Sequence, residues 1–86
     1  MEKFQRNFGP KSTEMLAKAG ITTDEQLIAL GTIAAFLAVK RAGCSPSLNF
    51  LWAIEGALSN RDWKVVAKED RLRLLMQLED AEKHSI

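Results

Sequence analysis

The run Asn7-Phe8-Gly9-Pro10-Lys11-Ser12 opens a helix, and Ala19-Gly20-Ile21-Thr22-Thr23 closes it and starts another. Proline suits the first helical position, where an amide hydrogen has no intrahelical partner to lose. Glycine just past a helix end accepts the left-handed conformation that stops it. Between these marks the chain predicts a helix over 10–19 with Met15, Leu16 and Ala19 on its apolar side. The amides at such a helix start attract anions, phosphate above all. Lys11 sits at the mouth with Ser12 beside it, and Gly9 lets a ligand approach the backbone closely. Arg6, Asn7, Gly9, Lys11, Ser12 and Lys18 are therefore the candidate nucleic-acid-binding residues. They supply charge and hydrogen bonds to a phosphate and read no base sequence. The same stretch also fits a structural turn, with Phe8 plugging the core and Lys11 in water.

Outward from this start, helix signals recur. Thr23 and Gln26 have capping-box spacing, and Asp24 and Glu25 suit the positive end of the dipole. That helix carries Leu27, Ile28 and Leu30 inward and ends at Gly31. Thr32 caps a third helix with Ile33, Phe36, Leu37 and Val39, closed by Lys40, Arg41 and Gly43. Ser45-Pro46 reads as cap and first position of a fourth helix, apolar on nearly every side from Leu48 to Leu58 and so the central one. After a break at Ser59-Asn60, Trp63, Val65 and Val66 add apolar contacts. A last amphipathic helix is expected from about Lys68 to Lys83, with Leu72, Leu75, Met76 and Leu78 inward. No segment alternates in the strand manner. The expected fold is all-α: one domain over 1–86, about five short helices, a core over about 6–78 and a polar tail over 79–86.

Composition narrows the function. Twelve basic and eleven acidic residues leave a net charge of +1, which argues against a strong non-specific nucleic-acid binder and leaves room for a local patch. Cys44 is the only cysteine, so no intramolecular disulfide forms, and a reducing compartment, the cytoplasm, is expected. No apolar run reaches the length of a membrane span. One cysteine and one histidine are too few for a zinc site, so no metal or other cofactor is expected.

The second informative block is Ser47 through Trp63. Asn49 and Glu55 are polar positions on an otherwise apolar helix, and burying Glu55 requires a partner. Arg61 is the nearest cation in sequence, and Lys40 or Arg41 can reach it in space. A structural ion pair or a rim position is the expectation, because no second carboxylate or histidine stands at acid–base spacing. No catalytic residue is assigned. Gly56 permits close helix packing. Arg61, Trp63 and Lys64 form an aromatic-basic candidate for partner binding. Cys44 is a free thiol with no histidine near it in sequence, and Met15 and Met76 take core positions. The run Lys68–Arg73 mixes both signs and reads as a solvated helix face.

Two patterns in these residues point to known proteins. Asn7-Phe8-Gly9-Pro10-Lys11-Ser12 with Gly20-Ile21 resembles a helix-hairpin-helix element, with Asn7 where that pattern has its first glycine. The same run, joined to Ser47-Leu48-Asn49-Phe50-Leu51-Trp52-Ala53-Ile54-Glu55-Gly56-Ala57-Leu58, then Arg61 and Trp63, resembles the C-terminal domain of the TfoX (Sxy) family over about residues 6–78. The resemblance implies a small helical domain with a helix-hairpin-helix or SAM-like N-terminal half. It also implies a bacterial regulator of competence, the uptake of DNA by transformation, which assists transcription of competence genes alongside a cyclic-AMP receptor protein and is not an enzyme. Members carry an N-terminal domain ahead of this one, whereas this chain begins almost at the motif, as a stand-alone or excised C-terminal domain would. The expected function is a regulatory module making weak contact with the DNA backbone through Asn7–Ser12. The alternative is a docking module for the transcription machinery or a separate N-terminal-type domain, with no DNA contact. No membrane partner is expected, and the sequence leaves the oligomeric state open.

Overall fold

Pro10 does start the first helix. The computed structural model describes residues 8–84, and α1 runs Pro10–Lys18 behind an extended Gly9. Its end is a Schellman turn. Ile21 N–H donates to the Leu16 carbonyl at 2.8 Å and Gly20 N–H to that of Ala17 at 3.0 Å. Leu16 and Ile21, which such a turn brings together, are both buried.

α2 spans Asp24–Arg41 and joins the two helices expected over this stretch, with a kink at Gly31. Gly31 takes φ +84°, a left-handed value that side chains resist, so the stop signal becomes a bend. The capping box forms: Gln26 N–H donates to Thr23 Oγ1 at 3.1 Å, and Thr23 N–H to Gln26 Oε1 at 3.2 Å. Thr32 does not serve as a cap. Its hydroxyl points into the protein and donates to Glu55. Ile28 and Leu30 are exposed, against expectation. Leu27 alone occupies the inward line of this short arm, and its neighbours fall to either side.

α3 (Leu48–Ser59) begins later than expected, because Ser47 is its cap and Ser45-Pro46 lies in the loop ahead of it. It is the central helix. Phe50, Leu51, Trp52 and Ile54 are all buried, and it packs against α2 and α4. Asn60 ends it in the left-handed conformation, with Arg61 N–H donating to the Gly56 carbonyl at 2.8 Å. Gly56 is required by close approach. A β-carbon there would stand 2.7 Å from the Arg61 carbonyl oxygen.

The stretch after Asn60 holds two helices where one, over about 68–83, is expected. α4 (Trp63–Glu69) starts on an Asp62 cap, whose carboxylate accepts from Lys64 N–H at 2.8 Å, and α5 (Arg71–His84) follows. The break at Asp70 resets the register. Leu74 and Leu78 face the core, while Leu72 and Met76 face solvent, the reverse of the expectation for 72 and 76. Trp63 and Val65 stand partly in solvent, and only Val66 of α4 is buried. α5 continues past the expected core to His84, with Ala81 against the core and Glu82 paired to Lys40 at 2.7 Å. Among the described residues these five helices are the whole of the regular structure, with no strand.

Candidate nucleic-acid interface

The start of α1 is built as an open helix end. Gly9 makes no side-chain capping bond, and no acidic residue stands in the first turn. Thr13 folds back, its amide and hydroxyl both donating to the Gly9 carbonyl, at 3.0 and 3.1 Å. The conformation does not demand glycine at position 9. Its φ is −70°, and a β-carbon there would meet nothing within 4 Å. Lys11 and Lys18 are both exposed and lie seven residues apart. They therefore share one side of α1, about 10 Å apart along its axis. Arg6 and Asn7 fall outside the described residues.

Lys11 and Ser12 also line a cleft of about 350 Å³. Ser45, Pro46 and Ser47 ahead of α3, Asn49 and Phe50 within it, and Trp63 of α4 line the same cleft. The Trp63 ring is 43% exposed, and the Lys64 ammonium lies 5.9 Å from its centroid, within cation–π range. Residues more than fifty positions apart thus line one cleft with a lysine, serine hydroxyls and an aromatic face. The serines at 45 and 47 belong to it without any motif that marks them. Only the fold brings them into one cleft with Lys11.

Arg61 is drawn away from this surface. Its guanidinium hydrogen-bonds the Asp70 carboxylate, its Nε donates to Ser59 Oγ at 3.0 Å, and Glu55 and Glu69 carboxylates lie 3.7 and 3.9 Å from it. Arg73 completes the network, with Nη2 2.9 Å from Asp70 and 3.3 Å from Glu55. Glu55 is held on its other oxygen by the Thr32 hydroxyl at 2.6 Å. The Arg61 hydrogen bond, helped by that of Arg73, holds the Asp70 carboxyl below its ordinary value against the opposing effect of desolvation. Reciprocally, the bond to Asp70 raises Arg61. The expected Glu55–Arg61 pair is present, inside a larger cluster whose Asp70 and Arg73 do not belong to a merely solvated charge run. Asp70 and Arg73 stand three apart, a spacing that signals a local pair but not its reach to α3.

Glu55 lines neither this cleft nor a second, of about 590 Å³, between the α2 kink and α5. Cys44 is half-buried just past the end of α2, and His84 is exposed on α5. Among the described residues no group of three or more His, Cys, Asp or Glu side chains gathers as a metal site, and no helix is long and apolar enough to cross a membrane.

Comparison with known proteins bears on this arrangement. The family model of the TfoX C-terminal domain matches residues 3–78. The DNA transformation protein TfoX of Haemophilus influenzae is 30% identical over 74 residues, covering 86% of this chain and 34% of that protein. The chain therefore spans about a third of the length of this relative. No solved structure matches it. The match takes in α1 to α4, most of α5 and both sequence blocks around the cleft, and the chain belongs to the TfoX C-terminal domain family.

Proposed function

We propose that this protein is a non-enzymatic, competence-related regulatory module that touches the DNA backbone weakly through the exposed side of α1, and so supports transcription of DNA-uptake genes in the cytoplasm. The observation that carries the reading is the meeting of Lys11 and Ser12 with Trp63 around one cleft, with Lys18 on the same side of α1 as Lys11. Two lysines about 10 Å apart suit a backbone that offers phosphates at regular intervals, and an open helix start adds amide donors. The candidate contacts Arg6 and Asn7 lie outside the described residues, and their charge and hydrogen-bonding groups precede Lys11 in the sequence. Family membership, and a relative named for DNA transformation, support the setting in competence. With a net charge of +1, binding is weak and salt-sensitive. Titrating the 15N-labelled protein with a short duplex tests this. The amides of Lys11–Thr13 and the Trp63 indole should shift together at low salt, and a spectrum that does not move would remove α1 from the mechanism.

One observation favours a second reading, docking on a protein such as a transcription factor, RNA polymerase or a separate N-terminal-type domain. Arg61 is withdrawn into the ion-pair network, which leaves Trp63 with Lys64 as an aromatic surface of low charge. Loss of a protein partner on Trp63→Ala, with no duplex binding at low salt, would establish this reading instead.

A further inference from the structure

The cleft lined by Lys11 and Trp63 gathers polar groups that the protein leaves unused. The hydroxyls of Thr13, Thr22, Thr23, Thr32 and Ser59 are all hydrogen-bonded within the chain. The other hydroxyls among the described residues, Ser12, Ser45 and Ser47, bond no protein group, and all of them line this cleft. The Lys11 ammonium and the Asn49 amide, in the same lining, have no protein partner either. None of the described lining residues is acidic. Donors gathered without a carboxylate among them suit an anion. Met15 and Phe50 give the lining an apolar part, and Trp63, 43% exposed, gives it an aromatic one. At about 350 Å³ the space lies at the small end of ligand sites. Its chemistry therefore asks for a small molecule or segment that joins a flat ring to an anionic group.

We propose that the cleft takes an unpaired nucleotide of single-stranded DNA, its base stacked on Trp63 and its phosphate held by Lys11 and the serine hydroxyls. This assignment rests on the reading that the surface of α1 meets DNA, and it names the form of DNA that fills the cleft. A base inside a duplex has its faces covered by its neighbours, so a duplex uses Lys11 and leaves the Trp63 ring without a stacking partner. An unpaired base offers its face, and stacking on an aromatic side chain tolerates any base. Lys64, with its ammonium 5.9 Å from the Trp63 centroid, puts a second cation beside the stacking group. Asn49 both donates and accepts, which suits the edge of a base. Lys18, on the same side of α1 as Lys11, takes a neighbouring phosphate of the strand.

Titrations at low salt with a short thymidine strand, the same strand paired with its complement, and thymidine monophosphate test it. Trp52 is buried in the core, so quenching of tryptophan fluorescence reports Trp63. The strand should quench it and bind about tenfold more tightly than the duplex. By anisotropy of labelled DNA, Trp63→Ala should weaken strand binding about tenfold and leave duplex binding within about twofold of the parent. Trp63→Phe keeps a ring and should retain most of the affinity for the strand, and a circular-dichroism melt confirms that each variant folds. Thymidine monophosphate should bind far more weakly than the strand, because it brings no phosphate to Lys18. Duplex binding with no preference for the strand, or strand binding unchanged by Trp63→Ala, would overturn this proposal and leave the duplex reading standing. Equal affinity for the monophosphate and the strand would overturn it in favour of a free nucleotide. Binding of neither form of DNA would overturn both readings.

Discussion

Thr32 donates its hydroxyl to Glu55 at 2.6 Å, tying the residue just past the α2 kink to the middle of α3. Thr32 is buried, and the Glu55 side chain is only 16% exposed. The bond therefore serves a carboxylate with little water to replace it. Thr32→Val keeps the shape and removes the donor, and it should cost about 1–3 kcal/mol. Thr32→Ser should retain most of that stability, and urea unfolding of the two variants measures the difference.

Asp70 makes stability depend on pH at the acid end. Its folded carboxyl titrates below the unfolded value of about 3.9, because Arg61 and Arg73 bond the charged form. The contribution is thus fully present above the unfolded value. It is lost as pH falls from there through the lower folded value. Asp70→Asn should lower the melting temperature at neutral pH, and the gap between variant and parent should narrow as the pH is taken down through 4 to 3. A gap that stays constant would mean that the Arg61–Asp70 bond contributes nothing through charge.

Gly56 is a helix-interior glycine where alanine would ordinarily add stability, by about 1 kcal/mol. Here the added carbon would press on the Arg61 carbonyl, which is backbone and held by the turn after α3. Gly56→Ala should therefore destabilise by about 1–3 kcal/mol, as read by thermal unfolding. Gly9→Ala, where the space is open, should fall within about 0.5 kcal/mol of the parent.

Two leucines of α5 distinguish the observed register from the one its sequence suggests. Leu74→Ala removes a fully buried side chain and should cost about 2–5 kcal/mol. Leu72→Ala, at an exposed position, should change stability by no more than about 0.5 kcal/mol. Chemical denaturation of the pair decides between the registers.

Some helix ends were legible because they rest on local chemistry. Thr23 with Gln26, and the glycines at 20 and 43, act within a few residues of themselves, whereas Gly31, also at positive φ, bends α2 instead of ending it. The face of α5 was not legible. Leu72, Leu74, Leu75, Met76 and Leu78 offer two overlapping apolar stripes, and the break at Asp70, fixed by its bonds to Arg61 and Arg73, selects one of them. The candidate site divides in the same way. Lys11 and Ser12 announce themselves beside Pro10, and Trp63 is conspicuous alone. That they share a cleft with Ser45 and Ser47 follows from the packing of α3 between its neighbours, which no local spacing records. Arg61 was readable as a partner of Glu55, while its removal from the basic surface depends on Asp70, nine residues away.

Contact of Lys11 and Lys18 with DNA phosphates is tested most directly by duplex affinity measured against salt concentration for the parent and for Lys11→Ala/Lys18→Ala. Two lost phosphate contacts should weaken binding at low salt and reduce the slope of log affinity against log salt by about 1.8. Identical affinity and slope in parent and variant, or no duplex binding by the parent at low salt, would contradict it.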